Sequence, residues 1–149
     1  MTKKTSRVRF VTVCMGLIAL LLSACSTTQM DKPMESKKDI MENQWGVHPV
    51  GIRLVGGDHF IDFRYRVVDP EKAVTLLSRN HQPYLVDEAT GKVHTVPVTK
   101  LGPMRSSAIK PKADRNYVIL FGNTQRIIHK GSKVTVVIGD FRAEHMTIM

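Results

Sequence analysis

The stretch VGIRLVGGDHFIDFRYRV, residues 50–67, decides the fold because apolar and polar residues alternate on both sides of a Gly-Gly-Asp-His interruption. Alternation with a period of two is the pattern of a half-buried β-strand, and a glycine-rich interruption between two such runs is typical of a hairpin. The sequence therefore predicts two antiparallel strands joined by a tight turn.

The pairing of the side chains predicts the register of this hairpin. With Gly57-Asp58 as the two central turn residues, Ile52 lies opposite Phe63 and Arg53 lies opposite Asp62. Apolar and opposite-charge cross-strand pairs each stabilise a hairpin by about 0.2–1 kcal/mol. A turn centred one residue earlier places a leucine opposite a histidine, so the first register is the prediction.

A short helix follows the hairpin. Asp69-Pro70-Glu71 begins it, because Asp suits the N-cap, Pro the first helical position and Glu the positive end of the helix dipole. The helix is expected to end near Ser78 and to bury Ala73, Val74 and Leu77 on one face.

Further β-forming runs fill the rest of the chain. Seven strands and one short helix in about 100 residues predict an all-β fold, an antiparallel immunoglobulin-like β-sandwich, over residues 45–149. A half-open barrel is the alternative. The five later runs are residues 83–86, 92–96, 116–121, 133–138 and 144–148.

Composition limits the class of protein. The chain has 149 residues, of which 42% are hydrophobic, and 22 Lys and Arg against 13 Asp and Glu give a net charge of +9. These values fit one globular domain. Only 10 glycines and 7 prolines exclude a collagen-like chain, and only 2 cysteines exclude a disulfide-rich one.

The first 25 residues have the order of an export signal. A basic start is followed by the apolar run Phe10 to Leu22, which is well short of the roughly 20 residues that span a bilayer. Leu22-Ser23-Ala24-Cys25 comes next and resembles the lipobox of bacterial lipoproteins. The resemblance implies removal of residues 1–24, lipidation of Cys25 and, because Ser26 follows, a place on the periplasmic side of the outer membrane. The inner membrane and a Gram-positive surface remain open as alternatives.

The region between this signal and the first strand predicts a spacer. Residues 25–44 hold charges of both signs, one proline and few large apolar groups, so we expect a lipidated cysteine followed by a flexible tether. A short helix from Lys37 to Asn43 is a further possibility within it. Trp45 begins the domain and is expected to pack against the rim of the sandwich.

One segment carries most of the net positive charge of the domain, +4 of +6. Residues 100–115 hold five basic residues against one acid, with no strand pattern, and long irregular connections are often functional. We expect this segment to contact an envelope protein or an anionic envelope polymer, and a solvated flexible connector is the alternative. Nucleic acid is disfavoured because export removes the chain from the cytoplasm. The candidate residues are Lys100, Arg105, Lys110, Lys112 and Arg115.

Signatures of catalysis are missing from the sequence. There is no Gly-x-Ser-x-Gly motif and no phosphate-binding glycine loop, and both cysteines, Cys14 and Cys25, belong to the signal and the lipid site. Asp87-Glu88 is the only adjacent acid pair and is expected to be a solvated turn. The chain is therefore predicted to be non-catalytic and to have no cofactor.

Metal binding is the alternative function. Alternation predicts that His145 and Met149 share one strand face, and imidazole and thioether together suit copper. No two histidines have the spacing of a zinc or copper site, so no metal site is assigned. The runner-up is a periplasmic copper-handling lipoprotein.

The leading expectation combines these features. Segments such as Gly51-Ile-Arg-Leu54 and Asp69-Pro-Glu-Lys-Ala73 resemble those of uncharacterised bacterial envelope proteins. We expect a lipid-anchored periplasmic accessory that binds or helps to assemble an envelope component.

Overall fold

The computed structural model describes residues 37–149. The predicted signal peptide, the lipobox with Cys25 and the first part of the tether lie outside these residues. In the described part there are two helices, α1 (Lys37–Trp45) and α2 (Pro70–Leu77), and a 3-10 turn at Thr124–Arg126. The nine strands of this part are β1 (Val47–Val55), β2 (Phe60–Val67), β3 (Tyr84–Asp87), β4 (Val93–Thr95), β5 (Val98–Thr99), β6 (Gly102–Pro103), β7 (Asn116–Gly122), β8 (Lys133–Ile138) and β9 (Phe141–Thr147).

The strands form antiparallel sheets. One sheet has the order β1-β2-β7, a second has the order β4-β3-β8-β9, and β5 pairs with β6 alone. The prediction of a β-rich antiparallel fold is confirmed. The expectation of a single helix is wrong, because α1 is a second helix in residues 37–149.

The β1–β2 hairpin has the predicted register. Ile52 pairs with Phe63 and Arg53 with Asp62, and the Arg53 guanidinium lies 3.3 Å from the Asp62 carboxylate. Gly57 and Asp58 have φ of 62° and 67°, the left-handed values that a type I′ turn needs at both central positions. The turn residues thus fix the register locally.

Helix α2 begins as predicted but turns a different face to the core. The Asp69 carboxylate accepts hydrogen bonds from the Glu71 and Lys72 amides, as an N-cap does. The buried residues of the helix are Ala73, Leu76 and Leu77, whereas Val74 is 42% exposed. Val74 was wrongly assigned to the buried face, because the i, i+3, i+4 set begins at Ala73 and includes residue 76.

Helix α1 occupies the end of the predicted tether. The short helix expected there is present and extends to Trp45. Met41 and Trp45 pack against the core, and the Trp45 ring meets Phe141 edge-on with centroids 5.8 Å apart. Residues 37–44 are therefore part of the folded domain, because two large apolar side chains, too few to show a sequence period, bind this helix to it.

The basic segment is more ordered than its sequence suggests. Val98-Thr99 pairs with Gly102-Pro103, and Arg105 forms an isolated bridge with Ile119 of β7. The Ser106 amide donates to the Val118 carbonyl at 2.8 Å, so the segment lies along the outer edge of β7. This pairing uses main-chain groups and leaves no alternation in the sequence, which is why a structureless connection was expected.

The last strand starts earlier than expected and contains a bulge. Phe141 pairs with Ile138 across a tight turn, and the register with β8 shifts between Val134 and Val136. His145 has φ of 57°, consistent with an irregularity at this point. The bulge interrupts the alternation from which a common face for residues 145 and 149 was predicted.

Within residues 37–149 a buried cluster joins both larger sheets and α2. Its largest fully buried side chains are Tyr65, Phe63, Phe121, Phe141, Ile52, Ile61, Leu76, Leu77, Leu85, Ile119, Ile128 and Ile138. At one edge the Met149 amide donates to the Ile52 carbonyl at 3.0 Å, and at the other His94 Nδ1 lies 2.9 Å from the Gly122 carbonyl oxygen. These contacts link the two sheets at both seams.

Candidate anion-binding site

A cleft of about 420 Å³ lies between the turn after α2 and the β5–β6 segment. This volume is within the range of small-ligand sites, which run from about 300 to 1,000 Å³. Arg79 and His81 line it from the turn, and Val98, Leu101 and Arg105 line it from the segment. We call this the arginine cleft.

Arg105 is held in place by main-chain carbonyls. Its guanidinium donates to the His81 carbonyl at 2.7 Å and to the carbonyl of Ser78, the C-cap of α2. A guanidinium has five N–H donors, so three remain for another acceptor. The cation also lies at the negative end of the α2 dipole, which stabilises it there.

The cations of the cleft have no acidic counterpart in the described chain. No acidic residue lines the arginine cleft, and the structure gives neither Arg79 nor Arg105 an ion pair with any of residues 37–149. The cleft beside α1 is different, because there Arg142 is accompanied by Asp140 and Glu144. The arginine cleft therefore attracts anions, and the α1 cleft carries its own carboxylates.

Burial and neighbouring charge act on Arg105 and on the Tyr65 phenol. Burial lowers the pKa of Arg105, and the charge of Arg79 lowers it further, while Tyr65 acts in the opposite direction. Burial likewise raises the pKa of Tyr65 above its usual range, against the effect of Arg105. The Tyr65 hydroxyl is buried without a hydrogen-bond partner in the described part. With its raised pKa the phenol is neutral, so it gives Arg105 no negative counter-charge.

Part of the lining of the cleft is apolar. Pro83, Val96, Val98, Leu101 and Pro103 line it, and Val98 and Leu101 are 77% and 101% exposed. A ligand that combines an anionic group with an apolar body matches this lining, because its charge meets arginine and its body meets aliphatic side chains.

Only one of the five basic candidates lines the arginine cleft. Arg105 lies in it, whereas Lys100 is exposed in the turn between β5 and β6. Lys110 and Lys112 are exposed further along the segment, and the Lys112 amide donates to the Tyr117 hydroxyl at 3.0 Å. The Arg115 guanidinium lies 5.8 Å from the centroid of the Tyr117 ring, a cation–π position.

His145 and Met149 contact different elements. His145 Nδ1 lies 2.9 Å from Glu88 in the β3–β4 turn, and Met149 lies against Gly51 of β1. In residues 37–149 no group of three or more His, Cys, Asp or Glu is placed to hold a metal ion. The geometry of these two residues adds no support to the copper alternative.

The adjacent acids Asp87 and Glu88 both accept hydrogen bonds from other residues, contrary to the expectation of a solvated pair. Asp87 accepts from the Ala89 amide and the Thr90 hydroxyl, and Glu88 accepts from the Thr135 hydroxyl at 2.7 Å and the His145 amide at 2.8 Å. The Asp87 carboxylate therefore stabilises the β3–β4 turn internally, and the Glu88 carboxylate fastens that turn to β8 and β9.

Sequence reasoning missed Arg79 and His81. Each is a single polar residue in the turn after α2, and their sequence distance from Arg105 gives no sign of contact. The available signal was the absence of acids near Arg79, since no Asp or Glu occurs between Glu71 and Asp87.

Comparisons with known proteins give no relative from which a function could be proposed. No protein-family model, curated protein or solved structure that was compared matches this chain. Within the described residues, no helix has both the length and the apolar character needed to cross a membrane.

Proposed function

We propose that this protein is a non-catalytic binding and assembly module of the bacterial envelope, whose arginine cleft holds the anionic group of a ligand. The observation that carries the proposal is the pairing of Arg79 and Arg105 in a cleft lined by no acidic residue. The apolar walls favour a ligand with an aliphatic part beside its phosphate or carboxylate.

The envelope location rests on the N-terminal sequence. After residues 1–24 are removed, the acyl chains on Cys25 anchor the protein in a membrane. Ser26 directs it to the periplasmic side of the outer membrane. Two or more acyl chains hold a protein stably on a bilayer, because each buried methylene contributes about 0.8 kcal/mol.

For the fold we propose the finer description of an immunoglobulin-like sandwich. The strand orders β1-β2-β7 and β4-β3-β8-β9 support it, because they follow the A-B-E and C′-C-F-G orders of such domains when β5 and β6 are left out. The hydrogen bonds at the two seams favour the alternative of a half-open barrel, and the angle between the sheets distinguishes the two.

Titration of the full chain in nonionic detergent with inorganic phosphate and with hexyl phosphate tests the anion site. We expect both to bind, and hexyl phosphate to bind more tightly because its chain contacts Val98 and Leu101. Arg79→Gln is expected to weaken both about fivefold, equivalent to about 1 kcal/mol, because one uncompensated cation is lost. Arg79 is exposed, so this variant is expected to fold.

Arg142→Gln is the matched control for Arg79→Gln. It removes an exposed arginine from the cleft that already holds Asp140 and Glu144, and should leave phosphate binding unchanged. Absence of binding to the parent chain, or an equal loss in the two variants, contradicts the assignment of the anion site to the arginine cleft.

A further inference from the structure

The three most exposed large hydrophobic side chains of the described part lie in one stretch of chain. Val98 is 77%, Leu101 is 101% and Ile109 is 93% exposed, whereas the next, Met149, is 61% exposed. The fold gains nothing from leaving them in water, because aliphatic side chains are stabilised by removal from it. Clustered exposure of this kind marks a surface that meets another body.

These side chains border two neighbouring clefts. Val98 and Leu101 line the arginine cleft, and Ile109 lines a second cleft with Val74 of α2. Arg79 and Ser107 line both, so the two clefts adjoin. We call the combined area the docking surface; its principal residues are Val74, Arg79, Val98, Leu101, Arg105 and Ile109.

The charge of the docking surface has one sign. Neither cleft is lined by an acidic residue. Lys100 precedes Leu101 and Lys110 follows Ile109, and both lysines are exposed. The two most exposed aliphatic side chains, Leu101 and Ile109, are thus each adjacent in sequence to an exposed lysine.

Aliphatic side chains beside cations are the combination that binds an anionic membrane. The aliphatic groups enter the boundary between headgroups and acyl chains, and the cations remain at the level of the phosphates. A soluble polyanion without apolar groups satisfies the cations alone and leaves Leu101, which is in full contact with solvent, without an apolar counterpart.

We infer that the docking surface binds an anionic phospholipid bilayer, with Leu101 and Ile109 entering it and Arg79 and Arg105 contacting lipid phosphate. The inference deepens the proposed function by naming the ligand of the arginine cleft. The proposed acylation of Cys25 tethers the same chain to a bilayer.

Quenching of a tryptophan by brominated lipid tests the contact. Trp45 is the only tryptophan of the chain, so Leu101→Trp with Trp45→Phe places a single fluorophore at the tip of the docking surface. The full chain is reconstituted into vesicles of phosphatidylcholine with 30% phosphatidylglycerol and, for comparison, into vesicles of phosphatidylcholine alone. In both kinds of vesicle the lipids are brominated on the acyl chains near the headgroup. We expect at least twofold quenching in the anionic vesicles, with most of it lost at 0.5 M salt.

The matched control places the same fluorophore on another exposed aliphatic residue. Val93 of β4 is 58% exposed and lies in neither cleft of the docking surface, so Val93→Trp with Trp45→Phe should show little quenching. Adding Lys100→Glu and Lys110→Glu to the Leu101→Trp chain should reduce its quenching by half or more. If Trp45→Phe prevents folding, the comparison is made with Trp45 retained, as the additional quenching over the parent chain.

Several outcomes overturn the inference. Equal quenching at positions 101 and 93, no quenching at either, or quenching that does not depend on lipid charge each shows that the docking surface does not bind the anionic bilayer. If hexyl phosphate still binds the arginine cleft in that case, the proposed function stands and its ligand is a soluble anion or an acidic partner. If hexyl phosphate does not bind while position 101 is quenched, the anion site fails and the membrane contact remains.

Discussion

At the scale of residues, Glu88 shows how a turn acid acquires a structural role. Its carboxylate accepts hydrogen bonds from the His145 ring, the Thr135 hydroxyl and the His145 amide, and against the opposing effect of burial these lower its pKa from 4.5 to about 2. The sequence placed it correctly in a turn. Its partners lie 47 and 57 residues away, so only the folded chain reveals them.

The lowered pKa of Glu88 predicts a specific dependence of stability on pH. The carboxylate contributes stability in full above its unfolded pKa near 4.5, and this contribution is lost as the pH falls toward about 2. We expect Glu88→Gln to be less stable than the parent near neutral pH and the difference to shrink below pH 4.5. Urea unfolding at a series of pH values measures this.

Glu144→Gln is the control for Glu88→Gln. Glu144 is exposed, and its side chain makes no ion pair with any of residues 37–149, so its loss should leave the pH profile of the parent unchanged. A constant difference between Glu88→Gln and the parent from neutral pH to pH 2 contradicts the role assigned to Glu88.

At the scale of elements, those with strong local signals in the sequence were predicted well, and those that depend on distant partners were predicted less well. Helix α2 and the β1–β2 hairpin carry their own start and turn residues, so their sequence was sufficient to predict them. Helix α1 and the β5–β6 pair have weak local patterns. Helix α1 forms because it packs on the core, and the β5–β6 segment is held by main-chain hydrogen bonds to the edge of β7. A short window of sequence contains neither of these partners.

The junction between α1 and β1 depends on a glycine. Gly46 has φ of 63°, and a Cβ there would lie 2.5 Å from the Asp69 carbonyl oxygen and 2.8 Å from the Asp69 Cβ. We expect Gly46→Ala to lower the free energy of unfolding by about 3 kcal/mol, from backbone strain and from steric overlap. Urea unfolding followed by far-UV circular dichroism measures the loss.

Gly57→Ala separates the two causes. Gly57 has nearly the same φ, 62°, but a Cβ there has no atom within 4 Å. Only the backbone term then remains, and we expect a loss of about 1 kcal/mol. Equal losses at the two positions would show that the contact with Asp69 contributes nothing.

At the scale of the whole molecule, one core should make α1 and the sheets unfold together. Trp45 of α1 meets Phe141 of β9, and the same buried cluster extends through both larger sheets. We expect the fluorescence of Trp45 and the circular dichroism of the strands to change at the same urea concentration, as a two-state transition requires. A transition of Trp45 at lower urea would mean that α1 detaches first.

The sequence by itself determined the β-rich class, the register of the first hairpin and the cap of α2, because alternation, turn residues and capping act over a few residues. It also identified the basic segment that contains Arg105. Only the tertiary structure brought Arg79 beside Arg105, fixed Glu88 to β8 and β9, and left Leu101 and Ile109 exposed around an acid-free cleft. These arrangements depend on which surfaces remain after the core is filled, and that outcome is a property of the whole chain.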